Sequence, residues 1–114
     1  MNTEALCKLI LGEIDNGTLP LYRHVLLDEP LSAIRDPLWL AAATVARKLD
    51  DEGQAAILAL MRQAAIDASS TLLGAIDGST SLDEAFIEVA LTDNEGTQHN
   101  GDLQDEFLRQ VDEK

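Results

Sequence analysis

The side chains best suited to nucleophilic or metal chemistry are few: Cys7, His24 and His99. A cysteine nucleophile needs an imidazole close by, and no motif joins these three residues. Cys7 flanks the apolar positions Leu6, Leu9, Ile10 and Ile14, where a thiolate is costly. It is expected to serve as a small buried hydrophobe. Serines stand at Ser32, Ser69, Ser70, Ser79 and Ser81, none of them in the Gly-x-Ser-x-Gly elbow that exposes a hydrolase nucleophile. One cysteine and two distant histidines do not make a zinc site. A calcium loop starting at Asp93 would place Gln98 where the turn glycine belongs. Phosphate-cradling patterns, Gly-x-Gly-x-x-Gly or Gly-Lys-Ser/Thr, are absent. These residue types and spacings therefore predict no catalytic residue, no metal and no cofactor.

The acids are the chemical feature that stands out. Twenty-one Asp and Glu against eight Lys and Arg give a net charge of −13. Nucleic acid and anionic membranes are bound through clustered Lys and Arg, so neither is an expected partner. A basic protein is the expected one, steered to the surface by the field. The plain alternative is solubility, as in many acidic bacterial cytosolic proteins. Residues 77–114 hold 11 acids and two bases, a net of −9, whereas the first 76 residues carry −4. Candidate binding residues at this acidic end are Glu88, Asp93, Glu95, Asp102, Asp105 and Glu106. His99 with Asp102, Asp105 and Glu106 is the densest ligand-like cluster, although acids there also suit a helix N-terminus.

The elements that must position these groups follow from periodicity. Thr3 is an expected N-cap, and Leu6, Leu9, Ile10 and Ile14 mark one helical face that Asn16-Gly17 should end. Leu21, Tyr22, Val25 and Leu26 suggest short helical turns between Pro20 and Pro30, closed by a turn at Asp28-Glu29-Pro30. Asp36-Pro37 starts a helix with the stripe Leu38, Ala42, Val45 and Leu49, and Trp39 beside it is expected in the core. From Asp51 to Asp77 a long helix is expected, about 40 Å at 1.5 Å per residue. Its apolar stripe is Ile57, Leu60, Met61, Ala64, Ala68, Leu72 and Ile76, with Gln63, Asp67 and Ser70 opposite. Gly74 marks a close contact or a weak spot, and Gly78 ends the helix.

Ala85, Ile87, Val89 and Leu91 then alternate with Phe86, Glu88, Ala90 and Thr92, a period of two that predicts a strand. Asp93-Asn94-Glu95-Gly96 should turn it, with Thr97–His99 returning. Asp102 is the expected cap of a last helix bearing Leu103, Phe107 and Val111.

The sequence thus reads as mainly α: a small helical bundle with a C-terminal β-hairpin and a final short helix, a minor α+β component. One domain, 1–114, is expected, with a helical body at 1–78 and the hairpin plus last helix at 79–114. No segment has the apolar length of a membrane span, a basic leader is absent, and the cytoplasm is the expected compartment. The leading functional expectation is a small acidic, non-enzymatic protein-interaction module, for instance an immunity- or antitoxin-like inhibitor of a basic protein. The alternatives are a carboxylate- or metal-dependent enzyme working near His99 and Asp102, and a homo-oligomeric structural or regulatory protein. In the last case a homodimer would complete the apolar stripes.

Overall fold

A computed structural model describes residues 1–113. It is mainly helical, in the order α1 (Thr3–Glu13), a π turn (Ile14–Thr18), α2 (Leu19–Arg23), a second π turn (His24–Asp28), a 3₁₀ turn (Leu31–Ala33), α3 (Pro37–Ala46), α4 (Asp51–Asp77) and α5 (Leu103–Asp112). The chain divides into two compact units. Met1–Glu13 with Ala65–Lys114 form the terminal unit, and Ile14–Ala64 form the inserted unit. α4 contributes residues 51–64 to the inserted unit and 65–77 to the terminal one.

In the terminal unit α1 packs on α5. Cys7 and Leu11 of α1, Ile66, Leu73 and Ala75 of α4, and Leu103 and Phe107 of α5 are buried. The first helix is capped one residue earlier than expected: Asn2 Oδ1 accepts from the Ala5 amide at 2.7 Å. The buried face of this end of α4 is Ile66, Ser70 and Leu73, at i, i+4 and i+7. Ser70 is therefore inside rather than on the polar side. Its carbonyl and hydroxyl accept from Gln104 Nε2 at 3.0 and 3.2 Å, which satisfies a buried polar group. Gly74 beside it makes the close contact expected of it: a Cβ there would lie 2.3 Å from Thr80 Oγ1 and 2.7 Å from Gln104 Nε2.

The expected β-hairpin does not form. Among the described residues there are no strands, only single bridges at Leu82–Ala85 and Thr92–Gln98. The Asp93–Gly96 turn is present, with Gly96 at positive φ donating to the Asp93 carbonyl. The returning segment is too short to pair with residues 85–90. Asn100 takes the place of a strand partner: its amide nitrogen donates to the Val89 and Ile76 carbonyls, and its oxygen accepts from the Leu91 amide. Alternation alone did not make a strand because no long second segment lay alongside it. The alternating residues stay largely outside, Phe86 at 69% exposure.

In the inserted unit, Asn16-Gly17 do not end the first helix. Gly17 is not among the positive-φ glycines, and helical backbone continues to Asp28. Pro20 lacks an N–H and its ring crowds the carbonyl four residues back. The widened π turn at Ile14–Thr18 immediately before it absorbs that misfit. Asp36 caps α3 as expected, accepting from the Leu38 and Trp39 amides at 2.9 and 3.2 Å, with Pro37 in the first turn. Leu26, Ile34, Ala43 and Ala46 form a small core, with Trp39, Ala42 and Met61 packed against it. Arg62 of α4 pairs with Asp15 at 2.7 Å. No helix among the described residues is long and apolar enough to cross a membrane.

Candidate interaction surface

The acidic residues singled out by charge are spread over the terminal unit and used unequally. Asp93 is heavily engaged. Its carboxylate accepts from His99 Nε2 at 3.0 Å and from the Glu95 and Thr97 amides at 2.9 and 3.1 Å. The His99 bond first, then the backbone donors, hold its pKa down at about 2. The N-terminal amine lies 3.4 Å from Glu95 and 3.5 Å from Asp93. Glu106 is taken by Arg109 and Gln110, which bring its pKa down to about 2. Glu88, Asp102 and Asp105 remain exposed.

Asp102 stands at the N-cap position of α5 without a side-chain cap bond. The cap comes instead from Asp77, at the end of α4. Its carboxylate accepts from the amides of Gly101 at 2.7 Å, Leu103 at 3.2 Å and Gln104 at 2.9 Å.

His99 is 2% exposed and joins Asp93 to Thr3. Because Asp93 is an acceptor, Nε2 carries the proton, and Nδ1 is left to accept from the Thr3 hydroxyl at 3.0 Å. This has the connectivity of a hydroxyl–imidazole–carboxylate relay. Here it fastens the first residue of α1 to the 93–99 turn, with both ring nitrogens engaged inside the protein. Cys7 is also a closed site. Burial, with the Glu106 and Asp77 carboxylates, pushes its thiol up to about 11, and Sγ donates to the Leu103 carbonyl. Among the described residues, no three His, Cys, Asp or Glu come together to hold a metal ion.

The depressed carboxylates have a pH consequence. A group with a lowered folded pKa stabilises the protein above its unfolded value and loses that contribution as pH falls through the folded one. For Asp93 and Glu106 the window runs from the ordinary values of 3.8 and 4.5 down to about 2. Stability should therefore decline with acid across this window, and Asp93→Asn should flatten the slope. Urea midpoints measured at pH 5, 4 and 3 would check it, and equal slopes for variant and parent would refute it.

The inserted unit carries a different surface. α3 reads Pro-Leu-Trp-Leu-Ala-Ala-Ala-Thr-Val-Ala and has no charged residue on any side. Its one polar side chain, Thr44, returns its hydroxyl to the Leu40 carbonyl at 2.7 Å. A helix apolar all round is normally enclosed. This one buries only Ala43 and Ala46, and leaves Leu38 at 75% and Val45 at 61% exposure. Beside it opens a cavity of about 590 Å³ lined by Tyr22, Leu26, Trp39, Ala42, Ile57 and Met61, with Leu38, Val45 and Leu49 at its margin. Trp39 and Tyr22 meet edge-on, ring centres 4.6 Å apart. Trp39 is thus both core and groove wall.

The stripe Leu38, Ala42, Val45 and Leu49 was expected to face the core. It faces the groove. On α4, Leu60 of the expected stripe is likewise outward, at 67% exposure. Periodicity located the apolar faces, but the chain has too little else in this unit to cover them. Fully burying one such aliphatic side chain is worth about 1.5–3 kcal/mol, so an uncovered row is a strong site for association.

The chain matches no known protein family, and no curated protein or solved structure is significantly similar to it.

Proposed function

We propose that this chain is a protein-interaction module that acts by docking rather than by catalysis, with the apolar groove of the inserted unit as its docking element. One observation carries the reading: α3 is uncharged throughout, yet most of its surface lies uncovered. Charge distribution supports the same division of labour. Residues 14–64 hold seven acids and five bases, a net of −2, so −11 of the chain's −13 belongs to the terminal unit. One unit keeps the chain dispersed while the other associates.

The neutral dye Nile red, titrated into the submicromolar protein, tests the docking element. Blue-shifted emission with energy transfer from Trp39, the only tryptophan, is the expected result. It should be lost in the Leu38→Glu, Val45→Glu double variant with helicity retained. A chain that both sediments as a monomer and leaves the dye dark would overturn the reading.

A second reading rests on the charge of the terminal unit. Glu88, Asp102 and Asp105 are exposed there and would face a basic partner, as an inhibitor of a cationic protein would. Its test is salt-sensitive binding of such a partner that weakens when those three acids become amides. Affinity that survives the change would sink it.

A further inference from the structure

We infer that the occupant of the groove is a second copy of this chain, joined through α3 in a two-fold contact. The inference rests on the docking reading above and goes further by naming the partner.

A closed contact between identical copies needs one surface that carries both the projection and the recess it fills. The α3 face has both. Leu38 and Val45 project, and the groove beside them is floored by Trp39, Ala42, Ala46 and Met61. Leu38 and Val45 are seven residues apart on one helical face, with Ala41 and Ala42 between them. The short alanine side chains let a second helix approach closely, while the larger residues at each end enter the partner's groove.

Charge separates a second copy from an unlike partner. A chain at −13 would select a basic protein through its carboxylates. None of the groove's lining residues is charged, so a basic partner gains no ion pair there. The surface fits an equally uncharged apolar helix, and α3 itself is one. Two acidic copies repel, yet the inserted unit holds only −2 of each copy's charge. Contact through α3 is therefore the approach at which like charge opposes association least.

Sedimentation velocity on the full chain, from about 1 to 100 μM, tests the inference. A dimer is expected, and Leu38→Glu should weaken it by about 100-fold or more, since each substitution occurs twice at the contact. Circular dichroism checks that helicity is kept. An independent variant, Ala41→Cys, sits at the middle of α3 and should form a disulfide-linked dimer on mild oxidation. Cys7 is fully buried and does not compete.

A monomer at 100 μM overturns the second-copy inference. If that monomer binds Nile red, the docking reading stands and the occupant is another protein. If it binds none, both fail. A dimer indifferent to Leu38→Glu, with no crosslink at Ala41→Cys, also overturns the inference, because assembly then uses another face.

Discussion

Replacing Asp77 with alanine is expected to unfasten the start of α5, at a cost of about 2–3 kcal/mol. The first amides of a helix have no partner within it. Here Asp77 supplies one carboxylate to three donors, at Gly101, Leu103 and Gln104. A carboxylate at this end also meets the positive pole of the helix dipole. The alanine variant removes all three acceptors, and Asp102 has no cap bond with which to compensate. Leu103 and Phe107 are fully buried on that helix, so loosening its first turn reaches the core of the terminal unit. Amide exchange at Leu103 and Gln104 should quicken, and the urea midpoint should fall. Asn keeps one acceptor oxygen and should recover part of the loss. An unchanged midpoint in Asp77→Ala would show that the cap is dispensable.

The second large effect is expected at Arg47. Its guanidinium donates to the carbonyls of Leu26 at 2.9 Å, Val25 at 3.1 Å and Glu29. These carbonyls stand at the end of the helical run closed by the His24–Asp28 π turn, where backbone acceptors lack helical partners. Arg47→Met keeps an apolar stem and deletes the donors, for an expected loss of about 2–3 kcal/mol. Lys should rescue little, because an ammonium cannot span three carbonyls as the planar fork does. Loss of helicity at lower urea in Met, with Lys close to Met rather than to the parent, is the expected pattern. A Lys variant as stable as the parent would mean that charge alone suffices.

Local signals were legible wherever the cause lies within a few residues. Asp36-Pro37 announced α3, the acids after Leu49 announced α4, and Gly78 ended it at positive φ. What the sequence hid depends on partners far along the chain. The cap of α5 comes from Asp77 rather than from the adjacent Asp102. Asn100 ties down residues 89–91 that alternate like a strand, and a long-range side chain outweighed period two there. Asn16-Gly17 resembled a stop because a helix-ending glycine and a tolerated one have the same letter. Only the backbone shows that Gly17 stays out of the left-handed region.

The candidate site was legible in the same partial way. Counting charge located the acidic terminal unit, but not that Asp93 and Glu106 are already engaged. The groove residues were all visible as apolar stripes and were assigned inward. A periodic stripe reports which face avoids water. It does not report whether the chain has anything to lay over it. α4 has two such stripes, and Ile66, Ser70 and Leu73 became the inner one because Gln104 and α5 meet them there.

The terminal unit is assembled from both ends of the chain, with residues 14–64 forming a unit of their own between them. On the ribosome this fixes an order. α1 leaves the tunnel first but must wait for α5, the last helix made, before Cys7 and Leu103 can meet. The inserted unit has all its residues once Ala64 has emerged. The nascent chain therefore displays the groove-bearing unit while its acidic, charge-rich counterpart is still incomplete. Two neighbouring ribosomes translating one message would bring such half-made chains together by their uncharged faces, before the repelling halves exist.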